Sequence, residues 1–167
     1  MASIAFRVGE SADWTAVKPQ IQQMVTGLDG FVDDLENPGL DHAVVSPYGD
    51  MGMFLAEMPE KISTLVQGWT VFCTCVDSDF ALLELYHNGE ELDCCAVGEV
   101  YEEYEEFCTV TPPKVDVWAR LLVNPQDLAT LEQALLGQEV FVEDQLRALS
   151  KLTGLKIFDD GLVFGQE

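Results

Sequence analysis

Four carboxylates in the middle of the chain have the type and spacing to bind a metal ion. Asp77 and Asp79 are separated by one residue after an apolar run, and Glu84 and Asp93 follow on either side of an Asn-Gly pair. Carboxylate oxygens are the ligands that Mg²⁺ and Ca²⁺ prefer in proteins. One hypothesis for the function is therefore a metal-dependent enzyme in which these four groups surround a divalent cation.

The segment Asp77-Ser78-Asp79 also resembles the DxD element of nucleotide-sugar glycosyltransferases, in which two carboxylates hold a divalent cation against a diphosphate. The resemblance implies a nucleotide-binding α/β domain, and the sequence shows no alternation of strands and helices that would build one. Asp and Ser are frequent in turns. We therefore favour a polar three-residue loop, and we predict neither a metal nor another cofactor.

The cysteines do not have the spacing of a zinc site. Cys73 and Cys75 are one residue apart and Cys94 and Cys95 are adjacent, whereas structural zinc sites usually place about two to four residues between paired ligands. The alternation of side chains along a strand also sends Cys94 and Cys95 to opposite faces. We predict reduced thiols in the core. The odd number of cysteines, five with Cys108, favours a reducing compartment, the cytoplasm.

The two histidines do not complete a catalytic site. His42 and His87 are the only histidines in the chain, and no serine lies in a G-x-S-x-G elbow or a comparable motif. A histidine without a nucleophile or a ligand set is weak support for catalysis, and His87 beside a turn is expected to be solvated. We predict no catalytic residue and no enzymatic activity.

The elements that position the carboxylates are strands. Asn88-Gly89 lies between two alternating apolar runs, which is the pattern of a β-hairpin with a type I′ turn. A three-residue loop at 77–79 adds a third strand and gives an antiparallel meander over about residues 69–97. The predicted apolar face contains the pairs Leu85–Leu92, Leu83–Cys94, Ala81–Ala96, Cys75–Ala81, Cys73–Leu83 and Val71–Leu85. On the opposite face Glu84 is predicted to lie across from Asp93, where like charges repel.

The sequence predicts helices before and after the meander. Apolar residues recur at helical spacing after Ser11, between Pro59 and Gly68, and in the C-terminal third of the chain. No internal repeat or linker divides the chain, so we predict a single domain over residues 1–167. A central meander packed against N- and C-terminal helices defines an α+β fold.

The charge of the chain is concentrated in one long segment. Between Lys18 and Lys114 there is one basic residue, Lys61, against nineteen carboxylates, within a net charge of -22. Like charges crowded on a folded surface repel one another, and an opposite charge must compensate where that surface is covered. We therefore predict a basic protein partner. Nucleic acids and anionic membranes are excluded as ligands because they require clustered Lys and Arg.

The acidic segment belongs to a folded protein rather than to a disordered one. Apolar residues make up 48% of the chain, and aromatic side chains are interleaved with the acids. Residues 1–9 do not have the pattern of a signal peptide, and no apolar run reaches the ~20 residues that a membrane-spanning helix requires. We expect a soluble protein with no membrane partner.

The tract after the meander combines carboxylates with tyrosines. Tyrosine is enriched in binding hot spots, because its ring offers contact area and its hydroxyl a hydrogen bond. The alternative is a solvated acidic segment whose tyrosines pack inward. The predicted partner-binding residues are Asp77, Asp79, Glu84, Asp93, Glu99, Tyr101, Glu102, Glu103, Tyr104, Glu105 and Glu106.

Part of the chain resembles small α+β immunity proteins of bacterial polymorphic-toxin and contact-dependent inhibition systems. The likeness lies in the segment Trp69–Asp93, WTVFCTCVDSDFALLELYHNGEELD, and in the acidic stretch and helical end that follow it. The resemblance implies a cytoplasmic inhibitor that occludes the active site of a basic toxin and binds it rapidly by electrostatic steering. An acidic adaptor or chaperone for a basic secreted protein would carry the same charge. The sequence makes no prediction about the oligomeric state.

Overall fold

A computed structural model of the chain describes residues 2–25, 31–33, 42–46, 57–102, 111–137 and 139–158. Its strands are β1 (Ala2–Phe6), β2 (Phe31–Asp33), β3 (His42–Ser46), β4 (Trp69–Val76), β5 (Phe80–His87) and β6 (Glu90–Gly98). Its helices are α1 (Trp14–Val25), α2 (Met58–Val66), α3 (Val115–Trp118), α4 (Leu128–Leu136) and α5 (Val142–Thr153), with 3₁₀ turns at Ala119–Leu121 and Pro125–Asp127. The strands form a six-stranded antiparallel sheet in the order β2-β3-β1-β4-β5-β6. The predicted α+β fold is confirmed.

The strand β1 lies inside the sheet, between β3 and β4, and was not predicted. It pairs with both neighbours along its full length from Ala2 to Phe6. All five of its residues are buried. A strand that is buried on both faces does not alternate between apolar and polar residues, which is why the segment ASIAF lacks a recognisable strand pattern.

Helices cover the sheet on both faces, so the protein has two apolar cores. The first face, here named the N-terminal face, packs against α1 and α2. Its core contains Ala2, Ile4, Phe6, Val17, Ile21, Ile62, Val66 and Phe72. The second face, here named the C-terminal face, packs against residues 115–158. Its core includes Val71, Cys73, Leu83 and Leu85 of the sheet with Trp118, Leu131, Leu146 and Leu149 of the helical layer.

Helix α5 has the sequence features of an amphipathic helix with defined ends. Val142, Leu146 and Leu149 recur every three or four residues and are buried. Acidic residues lie in its first turn, where negative charge complements the helix dipole. Gly154 ends the helix with a φ of 68°, a left-handed conformation that glycine adopts without steric penalty. Helix α5 therefore packs one apolar stripe into the C-terminal core and ends at Gly154.

Both predicted turns of the meander are confirmed. Asn88 and Gly89 have φ values of 53° and 83°, the positive values that a type I′ turn requires at its two central residues. The loop between β4 and β5 has the three residues 77–79, and it sets Val71 opposite Leu85 as predicted. Turn chemistry therefore specifies the register of β4 against β5.

The register of β5 against β6 differs from the prediction because of a β-bulge. His87 pairs with Glu90 as predicted, but the register shifts between Tyr86 and Leu85, so that Leu85 lies opposite Asp93 rather than Leu92. The predicted pairs Leu83–Cys94 and Ala81–Ala96 are wrong, and the pairs observed are Leu83–Cys95 and Ala81–Val97. An extra residue in one strand exchanges the faces of all residues beyond it.

The bulge turns Asp93 into the core on the C-terminal face, where it is 2% exposed. Its Oδ2 accepts hydrogen bonds from Trp118 Nε1–H at 2.9 Å and from the backbone N–H of Lys114 at 3.0 Å. Glu84 lies opposite Cys94, on the other face of the sheet, so the predicted pairing of Glu84 with Asp93 is wrong. A buried carboxylate requires such donors, and Asp93 thereby connects β6 to α3.

Replacement of Asp93 by alanine is expected to lower the free energy of unfolding by about 2–4 kcal/mol, because the buried Trp118 N–H and the partly buried Lys114 backbone N–H lose their shared acceptor. Urea denaturation measures this change. Glu90→Ala is the matched control, since Glu90 is exposed at the start of the same strand. It should change stability by less than about 0.5 kcal/mol. A loss at Asp93 no larger than the loss at Glu90 would show that the carboxylate does not hold α3 against the sheet.

Candidate functional site

The end of the meander that carries the β4–β5 loop brings three of the predicted binding residues together. Asp77 and Asp79 flank Ser78 in that loop, and the Glu99 backbone N–H donates to the Asp79 carbonyl oxygen at 3.0 Å. Glu143, in the first turn of α5, joins them through a hydrogen bond from Ser78. The four carboxylates Asp77, Asp79, Glu99 and Glu143 are here named the acidic end.

Gly98 lets β6 leave the sheet tightly against the β4–β5 loop. Its φ is 86°, in the left-handed region. An added Cβ would lie 2.4 Å from the Asp79 carbonyl oxygen and 3.1 Å from Val142 Cγ2, so no side chain fits there without displacing the backbone. The glycine thus keeps Glu99 beside Asp79 and beside the start of α5.

Ser78 links the β4–β5 loop to α5 with two hydrogen bonds. Its carbonyl oxygen accepts from the Val142 backbone N–H at 3.0 Å, and its Oγ donates to Glu143 Oε1. The other carboxylate oxygen of Glu143 is buried and has no hydrogen-bond partner in the described part of the chain. Glu143 was not predicted as a binding residue, because 65 residues separate it from Ser78 and no local pattern connects them.

No basic side chain is paired with the acidic end among the residues that the structure describes. The ion pairs within those residues are Lys61–Glu57, Lys114–Asp93 and Arg147–Asp144. Arg120 lies over the Trp69 ring, with 5.0 Å between the guanidinium carbon and the ring centroid. The acidic end therefore adds negative charge to one end of the sheet, and such charge attracts positively charged groups.

A second carboxylate cluster lies on the N-terminal face of β5 and β6. The Tyr86 hydroxyl is 2.7 Å from Glu84 Oε2 and 3.3 Å from Glu91 Oε2. A phenol has one proton and donates it to one oxygen at a time, and the shorter distance assigns that donation to Glu84. Tyr86 is buried, Glu84 is partly buried and Glu91 is exposed. Two carboxylates therefore compete for one donor.

The surroundings of this cluster raise the pKa values of two of its members. Burial raises the pKa of Glu84, the hydrogen bond from Tyr86 lowers it, and the negative charge of Glu91 raises it further, with a net shift upward. Burial also raises the pKa of Tyr86, and the hydrogen bond to Glu84 adds to that shift. Glu84 is therefore harder to ionise than an exposed carboxyl group, and a nearby cation would favour its charged form.

The structure describes the tract after the meander only at its beginning. Tyr101 is 42% exposed, and Glu102 is exposed as well. Both follow Glu99 closely in the chain, so the tract begins at the acidic end. The remaining predicted members, Glu103, Tyr104, Glu105 and Glu106, lie outside the described residues. Their part in binding stays a prediction.

The four carboxylates of the enzyme hypothesis do not converge. Asp93 is buried on the C-terminal face, whereas Glu84 lies on the N-terminal face. Asp77 and Asp79 lie in the loop at the end of the meander. Within the described ranges, no group of three or more His, Cys, Asp or Glu side chains is placed to hold a metal ion. The sheet separates Glu84 from Asp93, which contradicts a single metal site formed by all four residues.

Three of the four described thiols, and His87, have the surroundings of structural side chains. Three cysteines are buried as predicted, Cys73, Cys75 and Cys95, whereas Cys94 is exposed. Burial raises the pKa values of Cys73 and Cys95, which disfavours the thiolate that a nucleophile or a metal ligand requires. The His87 ring packs on the Trp69 ring with 4.3 Å between centroids, and burial lowers its pKa.

Comparisons of the chain with protein-family models, with curated proteins and with solved structures found no match. The resemblance to immunity proteins therefore stays a prediction. In the described ranges, no helix has both the length and the apolar character needed to cross a membrane. The geometry and charge of the acidic end are the basis for the functional proposal below.

Glu84→Gln is expected to raise the free energy of unfolding at neutral pH. A raised pKa means that folded Glu84 binds its proton more tightly than the unfolded chain does. The stability from protonated Glu84 is thus present below the unfolded pKa, near 4.5, and is lost as pH rises through the folded pKa. Glutamine stays neutral and still accepts from Tyr86. The stability gain over wild type should therefore grow as pH rises above about 4.5.

Urea denaturation of both proteins across the acidic-to-neutral range measures this difference. Glu132→Gln removes the same charge from an exposed position on α4 and controls for the relief of net charge. Because shared effects of pH cancel in each comparison with wild type, the two variants report the local environment. The same pH dependence in both variants would contradict a special environment for Glu84.

Proposed function

We propose that this protein binds a basic protein partner through the acidic end and the tract that follows it, and that it inhibits the partner by covering its active site, as an immunity protein does. The acidic end is the observation that carries the proposal. Asp77, Asp79 and Glu99 lie together at one end of the sheet, and no basic side chain of the described residues is paired with them.

Charge of this kind favours association with a cation-rich surface. Lys or Arg side chains that approach the acidic end interact favourably with its carboxylates. The net charge of -22 also attracts a basic partner over long range. Such steering raises association rates by roughly ten- to a thousandfold in clefts and interfaces of complementary charge. An inhibitor that must capture its target before the target acts benefits from this speed.

The proposed surface differs from the predicted one in its members. It keeps the exposed or partly exposed residues Asp77, Asp79, Glu99, Tyr101 and Glu102. Glu143 joins it through Ser78, and Asp93 leaves it because its carboxylate is buried. Glu84 lies with Tyr86 and Glu91 on the N-terminal face, toward the Asn88-Gly89 turn and away from the acidic end, so its part in binding stays a prediction. The proposal also keeps Glu103, Tyr104, Glu105 and Glu106, which follow in the tract.

An inhibitor and an adaptor or chaperone of a basic protein both require an acidic surface. They differ in whether the bound partner keeps its activity. In the proposed inhibitor, carboxylates occupy the place where the partner binds an anionic substrate, so the partner loses its activity. An acidic adaptor or chaperone leaves that activity intact. The activity of the partner in the complex therefore distinguishes the two roles.

Charge reversal at the acidic end is expected to slow binding. The combined variant Asp77→Lys, Asp79→Lys and Glu99→Lys should reduce the association rate constant by roughly tenfold or more at low ionic strength, because electrostatic steering is lost. The partner is first isolated by pull-down from the source cell and purified. Stopped-flow kinetics then measures association across ionic strength, and the wild-type rate should fall as salt rises. An activity assay of the partner runs in parallel.

A control of equal net charge separates the surface from the total charge. Glu60→Lys, Asp116→Lys and Glu132→Lys reverse three exposed carboxylates on α2, α3 and α4. This variant should bind nearly as fast as wild type. If it slows binding as much as the acidic-end variant, the proposed surface is wrong. A wild-type rate that does not respond to salt would exclude a basic partner, and an active partner in the complex would replace inhibition by an adaptor role.

A further inference from the structure

The last residue of α4 and the connection to α5 expose three large apolar side chains. Leu136 is 50% exposed, Val140 is 85% exposed and Phe141 is 57% exposed. A single exposed apolar residue is ordinary, whereas several close together mark a site of interaction. These three residues are here named the apolar loop.

The backbone around the apolar loop is held in place although its side chains are exposed. Gln145 is 1% exposed, and its Nε2 donates to the carbonyl oxygens of Ala134 and Gly137. The Phe141 carbonyl oxygen accepts from the Asp144 backbone N–H at 3.1 Å as α5 begins. An aromatic ring carried by a fixed backbone loses little conformational entropy when a partner covers it.

The apolar loop adjoins the acidic end. Val142 directly follows Phe141, and its backbone N–H donates to the Ser78 carbonyl oxygen in the β4–β5 loop, 3.0 Å away. Glu139 directly precedes Val140, and Glu143 directly follows Val142. Apolar side chains therefore have carboxylates beside them both in the sequence and across the contact with the β4–β5 loop. An apolar centre with a charged rim is the arrangement found at binding hot spots.

We infer that the apolar loop anchors the interface, and that it docks on a protein surface rich in lysine or arginine with apolar side chains among the cations. This inference rests on the proposed function and adds the chemistry of the partner to it. The acidic end meets the cations, while Phe141 and Val140 contact the apolar side chains between them. Charge then governs the rate of encounter, and apolar burial governs the lifetime of the complex.

A second copy of this chain does not fit the apolar loop. Each copy has a net charge of -22, and contact between two such loops would bring two acidic ends together. That repulsion opposes association. A cationic surface meets no such repulsion and gains contacts with both features.

Two lysine peptides of equal length and charge test the anchor. One has Lys-Lys-Leu repeats, and in the other glycine replaces each leucine. Wild-type protein is expected to bind the leucine peptide more tightly. Phe141→Ser should weaken binding of the leucine peptide by roughly tenfold, because a buried ring contact is lost, and should leave binding of the glycine peptide unchanged. Fluorescence anisotropy of labelled peptides at fixed ionic strength measures both dissociation constants.

Two further variants control for folding and position. Val140→Ser replaces the most exposed side chain of the loop, so it leaves the core intact, and it should show the same selective loss. Val123→Ser is the matched control for an exposed apolar residue elsewhere. Val123 is 68% exposed and lies beside the far end of α5, where its backbone N–H donates to the Leu152 carbonyl oxygen. It should leave both peptides unaffected, and thermal unfolding confirms that each variant is folded.

Equal binding of the two peptides by wild type, or a loss at Val123 as large as at Phe141, would overturn the inference. Light scattering that shows wild type to be a dimer and Phe141→Ser a monomer would also overturn the inference, because a second copy of the chain would then cover the apolar loop. The variant Asp77→Asn, Asp79→Asn and Glu99→Gln should weaken both peptides alike. If this variant weakens the binding of neither peptide, the proposed function fails. Loss of binding to the leucine peptide alone in Phe141→Ser is a separate result, which reports only on the apolar loop.

Discussion

The β-bulge in β6 is the local feature on which the distribution of charge in this protein depends. It shifts the register between Tyr86 and Leu85 and so directs Asp93 into the core. There the carboxylate accepts from Trp118 and from the Lys114 backbone, which connects the sheet to the helices behind it. Without the extra residue, Asp93 would share a face with Glu84 and Trp118 would lose its acceptor. One irregular residue therefore decides both a core contact and the composition of the acidic surface.

The carboxylates of the meander differ in how many hydrogen-bond donors or cations the fold supplies to them. Asp93 has two donors on one oxygen, whereas Glu84 competes with Glu91 for a single phenolic proton. The members of the acidic end have no paired cation in the described residues. A buried carboxylate with hydrogen-bond donors contributes to stability, whereas an exposed carboxylate without a paired cation adds negative charge to the surface. Burial and hydrogen bonding of each group, rather than the density of acids in the sequence, therefore distinguish the carboxylates that support the fold from those that add charge to the surface.

The sequence predicts those parts of the fold that local rules determine. Asn88-Gly89 and the three-residue loop at 77–79 specify their turns because few residue types adopt the backbone angles involved. The bulge escapes prediction because the apolar alternation of the strand favours Leu92, rather than Asp93, on the core face. The role of Asp93 as a buried acceptor becomes visible only with its donor Trp118, 25 residues away. The same holds for β1 and for Glu143, whose contacts are distant in the chain. Candidate carboxylates were therefore predictable, but their individual roles were not.

The acidic end and the apolar loop have opposite effects on self-association and on selectivity, and each offsets a disadvantage of the other. An exposed aromatic side chain promotes self-association, which repulsion between highly charged copies opposes. Concentrated charge alone attracts many cationic surfaces with little selectivity, whereas an apolar contact at the centre of the interface favours partners with matching apolar groups. Phe141 and Ser78 lie on either side of Val142, so the two features are joined through one backbone hydrogen bond. A partner that matches only the charge or only the apolar loop would bind less tightly than one that matches both.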